Sequence, residues 1–222
     1  MPQEIPTPVA GAQITQYCPG EQAKPGEYEP GDFILTHGNH LTSRLIRFGQ
    51  KIRFHGEDRK YTWWSHTAFV RRPNGDLIEA INAGVIESNI SRYKETEYYL
   101  VHLEDSLATR HDRQQAVRFA EASIGQHYSY VMVVSIFFSL LTGAKFAIGY
   151  DGQSICSGLV SRALERGSAI FDRTPSHMLP ADLAKHFKVE PPPPDSNKGR
   201  IPSARRFFER TEKRGQRPAR SA

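Results

Sequence analysis

The sequence predicts one domain in which antiparallel strands and amphipathic helices share a core, and three observations lead there. Two β-rich runs flank a Pro73-Asn74-Gly75 break, the signal of a hairpin. Two later stretches, residues 112–124 and 156–165, carry apolar side chains at helical spacing and end at Gly125 and Gly167. With 222 residues and 38% hydrophobic content, the chain has enough apolar material for a core.

Taken in order, residues 1–28 hold five prolines and several glycines and read as an irregular lead-in. Residues 31–36 are apolar enough for a strand, and 41–51 carry Leu41, Leu45, Ile46 and Phe48 among Arg44 and Arg47, which suggests a short helix. Residues 61–70 and 76–83 form the hairpin, and 98–103 make another strand. Ala116, Val117, Phe119, Ala120 and Ile124 give 112–124 one apolar face. Residues 180–186 make a short helical segment. The run 131–141, extended to 148 only by taking in Gly143 and Lys145, is too short to span a bilayer and reads as a core helix or cleft roof, with a membrane-surface contact or a protein partner as the alternatives.

Cys156 opens the second helical stretch, directly after a polar turn. Unpaired N–H groups and the positive end of the helix dipole both favour thiolate over thiol there. His66 lies on the first run of the hairpin and Glu79 on the second. A four-residue loop, 71–74, would pair Val70 with Gly75 and set Glu79 directly opposite His66. A tight turn at Asn74-Gly75 would instead pair Glu79 with Val70, roughly 13 Å along the strand from His66 at about 3.3 Å per residue. The register therefore decides whether a carboxylate can orient the imidazole. Asp76 and Glu87 are rival orienters, neither of them opposite His66 in the four-residue register. A Cys/His pair with an orienting polar group is the arrangement that activates a thiol toward an acyl carbon.

The order Gly31-Asp32-Phe33-Ile34-Leu35, Ser65-His66-Thr67-Ala68-Phe69-Val70, Ile78-Glu79-Ala80 and Ile155-Cys156-Ser157-Gly158-Leu159-Val160 resembles the circularly permuted NlpC-type papain-like proteins, the YiiX/YaeF-like group. In ordinary papain-like enzymes the cysteine helix precedes the histidine strand; here the histidine comes first. Gly125 to Tyr130, and Thr174-Pro175 through Leu183, resemble further segments of that group, so the likeness spans about residues 30–187. It implies an α+β permuted papain-like fold, with a small antiparallel sheet or partial barrel packed on helices and the nucleophile at a helix N-terminus. It also implies Cys156 as nucleophile, His66 as base and Glu79 as orienter. The activity expected is that of a thiol hydrolase or acyltransferase working through an acyl-enzyme, on a lipid acyl group or a peptide or cell-wall amide. The rival reading is a non-catalytic module that binds a lipid or peptide in the same cleft. The backbone N–H of Cys156 is the expected first oxyanion donor; Gln153 and Tyr128 compete for the second, and Trp64 is a candidate to line the cleft.

The domain boundaries follow as 1–28 lead-in, 29–190 catalytic domain and 191–222 proline spacer with a basic, disordered tail. Of the net charge of +5, residues 195–222 supply nine Lys/Arg against three acidic residues, +6, which leaves −1 for the rest. The tail is the expected contact with an anionic membrane surface, and no specific nucleic-acid partner is expected. His37, His40 and His55 lack the ligand spacing of a metal site, so neither metal nor cofactor is expected. With two cysteines and neither a basic start nor an apolar run at the N-terminus, the expected setting is cytoplasmic, peripheral to a membrane where the tail binds one.

Overall fold

The structure is a computed structural model and describes residues 3–5, 11–38, 41–81, 83–126, 156–167 and 169–193. The chain divides into two units, Met1–Pro191 and Pro192–Ala222. The fold described is that of the first; the basic tail and the apolar run 131–148 lie outside the described residues.

The architecture is α+β. Seven strands form one sheet: β1 (Gln3–Ile5), β2 (Ala12–Tyr17), β3 (Phe33–Thr36), β4 (His66–Val70), β5 (Asp76–Ile81), β6 (Gly84–Asn89) and β7 (Tyr98–Leu103). Their order is β1-β2-β7-β3-β4-β5-β6, and every neighbouring pair is antiparallel. The helices are α1 (Leu41–Arg53), α2 (Arg110–Ala122), α3 (Cys156–Arg166) and α4 (Pro180–His186).

Alternation along the strands fills both faces of the sheet. Phe33, Leu35, Phe69, Ile78, Tyr99 and Val101 join the core that includes Leu159, Val160 and Ala163 of α3 and Leu183 of α4. Their alternates Ile34, Ala68, Val70, Leu77, Tyr98 and Leu100 pack on the other face with Tyr28, Ile90 and Tyr93. A buried charge cluster ties the layers together. The Asp32 carboxylate, at the entry to β3, accepts from Leu103 N–H at 3.0 Å, Glu29 N–H at 2.7 Å, Arg113 Nη1 at 2.9 Å and His102 Nδ1 at 2.7 Å. The start of β3, the end of β7 and α2 are thereby fastened at one point, and the carboxylate's acceptor capacity is filled as burial of a charge demands.

The strands at 31–36 and 98–103 and the helices begun at residues 41, 156 and 180 stand where the sequence puts them. Thr109, which accepts from Asp112 N–H in a capping box, starts α2 two residues earlier than its apolar period suggests. Within the expected irregular lead-in, 1–28, residues 12–17 form a regular strand. Ala12, Ile14 and Tyr17 of β2 are buried, β2 pairs with β7 along its whole length, and Tyr17 stacks on Tyr98 at 5.0 Å. Prolines on either side of this segment mask a six-residue strand. The sheet is accordingly larger than the small sheet expected. Residues 61–63 belong to a 3₁₀ segment, Gly56–Trp63, rather than to the first hairpin strand, and β6 adds a strand that the sequence did not announce.

The hairpin register lies between the two alternatives. Phe69 faces Ile78 and Val70 faces Leu77. The turn runs from Arg72 to Gly75, whose N–H bonds the Arg72 carbonyl at 3.1 Å, and Arg71 N–H returns to the Asp76 carbonyl at 2.8 Å. Carried on, this register sets Glu79 across from Ala68 and diagonal to His66, not directly opposite it. The ladder has moved by two residues, and because side chains alternate with period two, an even shift keeps Glu79 on the His66 face. Gly75 closes the turn at φ +88°, and a Cβ there would come within 2.8 Å of Ile90 Cγ2 and of the Tyr28 hydroxyl. Gly75→Ala is expected to cost about 1–3 kcal/mol, from a positive φ and the overlap together. A lowered denaturant midpoint at unchanged slope will show it.

Candidate active site

Three elements deliver the site. His66 begins β4, Glu79 lies mid-strand in β5, and Cys156 is the first residue of α3, which packs on both strands. The helix is held in that pose by its own polar residues. Ser157 Oγ donates to the Met178 carbonyl at 2.6 Å and Ser161 Oγ to the Ser157 carbonyl at 2.7 Å, so two buried hydroxyls are satisfied while Leu159, Val160 and Ala163 sink into the core. The N-terminal turn is therefore fixed against the start of β4.

His66 Nε2 lies 2.8 Å from Glu79 Oε2. The Cys156 thiol lies beside the same imidazole and interacts with it electrostatically, so with Nε2 on the carboxylate, Nδ1 is the nitrogen left to address sulfur. Glu79 is 1% exposed and His66 about one-fifth, at 19%. Backbone N–H groups of Thr67 and Ser157 also favour the negative sulfur. One comes from the strand next to His66 and the other from the first turn of α3, where free N–H groups are expected.

These contacts move the titrations in opposite directions. Burial alone would push the Cys156 thiol up; the His66 charge, its hydrogen bond and the two N–H groups bring it below the ordinary thiol range. Burial likewise disfavours the His66 imidazolium, but the negative sulfur and the Glu79 carboxylate outweigh it and hold its pKa up at about 10. For Glu79, burial raises and the His66 and Tyr93 hydrogen bonds lower, with a net value of about 2. Both shifts favour the thiolate–imidazolium pair, backed by a carboxylate, over the neutral pair.

Two residues of this site carried no signal in the sequence. The Tyr93 hydroxyl donates to Glu79 Oε2 at 2.5 Å, and its ring lies nearly parallel to the His66 ring with centroids 6.4 Å apart. Arg92 Nη1, largely exposed, reaches Glu79 Oε1 at 3.5 Å. Both sit on the short 3₁₀ turn Ile90–Tyr93 after β6, an element that no periodicity foretold. Tyr93→Phe is expected to lower stability by about 1.5–3 kcal/mol, the range for a hydrogen bond to a charged group. It will also raise the alkylation pKa of Cys156 by less than removal of His66 does. Denaturant unfolding and a pH series of alkylation rates check both.

The remaining candidates divide. Trp64 does not line a cleft: it is fully buried, its Nε1 donates to the Val189 carbonyl at 2.9 Å, and its ring meets Tyr99 edge-on at 4.7 Å. An indole whose N–H and ring faces are all committed to the core has nothing left to present to a substrate. Trp63, only partly buried, stacks on His37 at 3.9 Å, and His37 Nδ1 donates to the Trp63 carbonyl at 2.8 Å. Asp76 serves the turn, through Asn74 and Asn89, and Glu87 pairs with Arg71 at 2.7 Å, so neither competes for His66. Gln153 and Tyr128 lie outside the described residues. Among the described residues no three His, Cys, Asp or Glu side chains converge to hold a metal ion, and no helix is long and apolar enough to cross a membrane. Comparison with protein-family models and with curated protein sequences found no match.

Proposed function

We propose that the chain is a cysteine-dependent hydrolase or acyltransferase with a permuted papain-like fold, in which Cys156 is the nucleophile, His66 the acid–base and Glu79 the group that orients it. The observation that carries this reading is the His66 ring, hydrogen-bonded to a buried carboxylate 2.8 Å away and coupled by its charge to a thiol at a helix N-terminus. A structural histidine has no need of a buried anion behind it and a thiolate in front of it. The order of elements, histidine strand before cysteine helix, supports the permuted connectivity.

The chemistry follows from the positions. The Cys156 thiolate attacks the acyl carbon, a C–S bond forms, and the carbonyl π pair moves onto oxygen. On collapse of that adduct the bond to nitrogen or oxygen breaks, and the leaving group takes the proton from the His66 imidazolium. The neutral imidazole then accepts a proton from water, or from an acceptor alcohol or amine, as that nucleophile attacks the thioester and returns the sulfur as thiolate. Glu79 holds the ring in one tautomer and orientation throughout and is not itself protonated. For substrate, the aromatic-rich apolar run 131–141 favours a lipid acyl group over a peptide or cell-wall amide.

An electrophilic thiol probe tests the reading. Labelling of the native protein at Cys156 at neutral pH, absent in Cys156→Ala and strongly slowed in His66→Ala, is the expected result. Labelling of Cys156 no faster than that of a free thiol, and indifferent to His66, would leave a buried cysteine beside a histidine and no enzyme.

A further inference from the structure

Helix α1 is mounted inside out. Its sequence has a clear apolar stripe, Leu41, Leu45 and Phe48, at the i, i+4, i+7 spacing that would ordinarily be turned to the core. In the fold those residues are 73%, 47% and 54% exposed, and the buried residues of the helix are Gly49 and Gln50. The orientation is enforced by polar contacts. Gln50 Nε2 donates to the Trp64 carbonyl at 2.8 Å, its Oε1 accepts from Ala181 N–H at 2.9 Å, and Arg53 pairs with Asp182. Rolling the helix to bury Leu41 and Leu45 would break a fully satisfied buried amide and an ion pair, so the stripe stays outward.

We propose that this outward face of α1 docks the protein on an anionic lipid surface. The charge pattern selects that occupant. Residues 41–53 hold Arg44, Arg47, Lys51 and Arg53 and no acidic residue, and Arg44 and Lys51 are exposed beside the stripe. An apolar stripe edged by cations is what an interfacial helix needs: leucines enter the acyl boundary while guanidinium and ammonium groups stay at the phosphates. A second copy of the chain is disfavoured, because a two-fold contact through this face would set Arg44 and Lys51 against their own copies. The helix also follows closely, in the chain, on a strand that pairs with the histidine strand. Thr36, the cross-strand partner of His66, leads into α1, and Gly38 N–H bonds the hydroxyl of Ser65, next to His66, at 2.9 Å. Docking stands independently of any chemistry at Cys156; together, the two bring the thiolate to a lipid substrate.

The test is flotation of the full chain with phosphatidylcholine vesicles that do or do not contain about 30 mol% phosphatidylserine, at low and at raised salt. The wild type is expected to partition onto the anionic vesicles, and Leu41→Ser/Leu45→Ser to lose at least about tenfold, with a residual bound fraction that salt removes, the part due to the basic tail. The thermal melt and the Cys156 alkylation rate should change little, since Leu41 is largely, and Leu45 about half, in water. Leu45→Glu is the second variant, should the double change lower yield. Equal partitioning of wild type and both variants, whether strong or nil, overturns the proposal, as does a wild-type dimer that the variants abolish without any change in vesicle binding. Loss of labelling at Cys156 with vesicle binding intact would strike at the proposed chemistry and leave the docking face standing.

Discussion

Cys156 will be alkylated by iodoacetamide nearly as fast at pH 6 as at pH 8, and in His66→Ala the rate at pH 6 will fall at least about tenfold, one unit of thiol pKa being a factor of ten in thiolate. The sign follows from the two titrations. The Cys156 thiol lies below its ordinary value, so the thiolate persists as pH falls through the range where a free thiol is protonated. The His66 imidazolium lies above its ordinary value, so its charge persists as pH rises past neutrality. Between those limits the ion pair is intact. Without the imidazole, the charge and the hydrogen bond that offset burial are gone, and the thiol moves up. The rate is to be followed on the peptide that contains residue 156, because Cys18, in no disulfide, is a second thiol. A wild-type inflection at the ordinary thiol value would overturn the ion pair.

Glu79→Ala carries the largest expected effect on stability, about 3–5 kcal/mol, the cost of removing one partner from a buried ion pair. His66 and the Tyr93 hydroxyl both direct hydrogen bonds at this carboxylate, and its 1% exposure admits little water to take over. Glu79→Gln keeps the shape and an acceptor oxygen but not the charge. It should fold and yet lose about 10³–10⁴-fold in acyl transfer or probe labelling, because the amide neither supports the imidazolium nor enforces its tautomer. The two variants separate structure from chemistry. With Glu79 held at about 2 against an ordinary 4.5, its contribution to stability is present above pH 4.5 and fades as pH falls toward 2. Denaturant midpoints across that range should lose this component in Glu79→Gln.

Much of this site was legible in the sequence because its main parts sit on strongly patterned elements. Cys156 follows a polar run and precedes Leu159, Val160, Ala163 and Leu164; His66 and Glu79 flank a Pro-Asn-Gly break. The register was not legible, since it depends on where Gly75 takes its left-handed conformation, and strand composition says nothing of that. The pairing to Glu79 survived because the difference was two residues; one residue would have sent the carboxylate to the opposite core. Tyr93 and Arg92 were invisible for another reason, being carried by a four-residue 3₁₀ turn with no period to detect. Trp64 was misassigned because proximity to His66 in sequence is not proximity in the cleft: alternation at the strand entry turns its indole into the core. For β2, local composition was simply outvoted by pairing with β7.

The distance along the chain between residues 66 and 156 has a kinetic meaning. His66 and Glu79 meet through a hairpin, a contact that closes early because little chain must be ordered to make it. Cys156 joins only when α3 has docked on β4 and β5, a contact of long sequence separation that belongs to the last stages of assembly. Until then the thiol is ordinary, since neither the imidazolium nor the Thr67 N–H is beside it. An emerging or partly folded chain thus carries a dormant sulfur, and its reactivity switches on with completion of the fold. The rate at which Cys156 reacts is for that reason a sensor of native structure as well as of chemistry, and a destabilising change far from the site, such as Gly75→Ala, will register there in proportion to the fraction of molecules it unfolds.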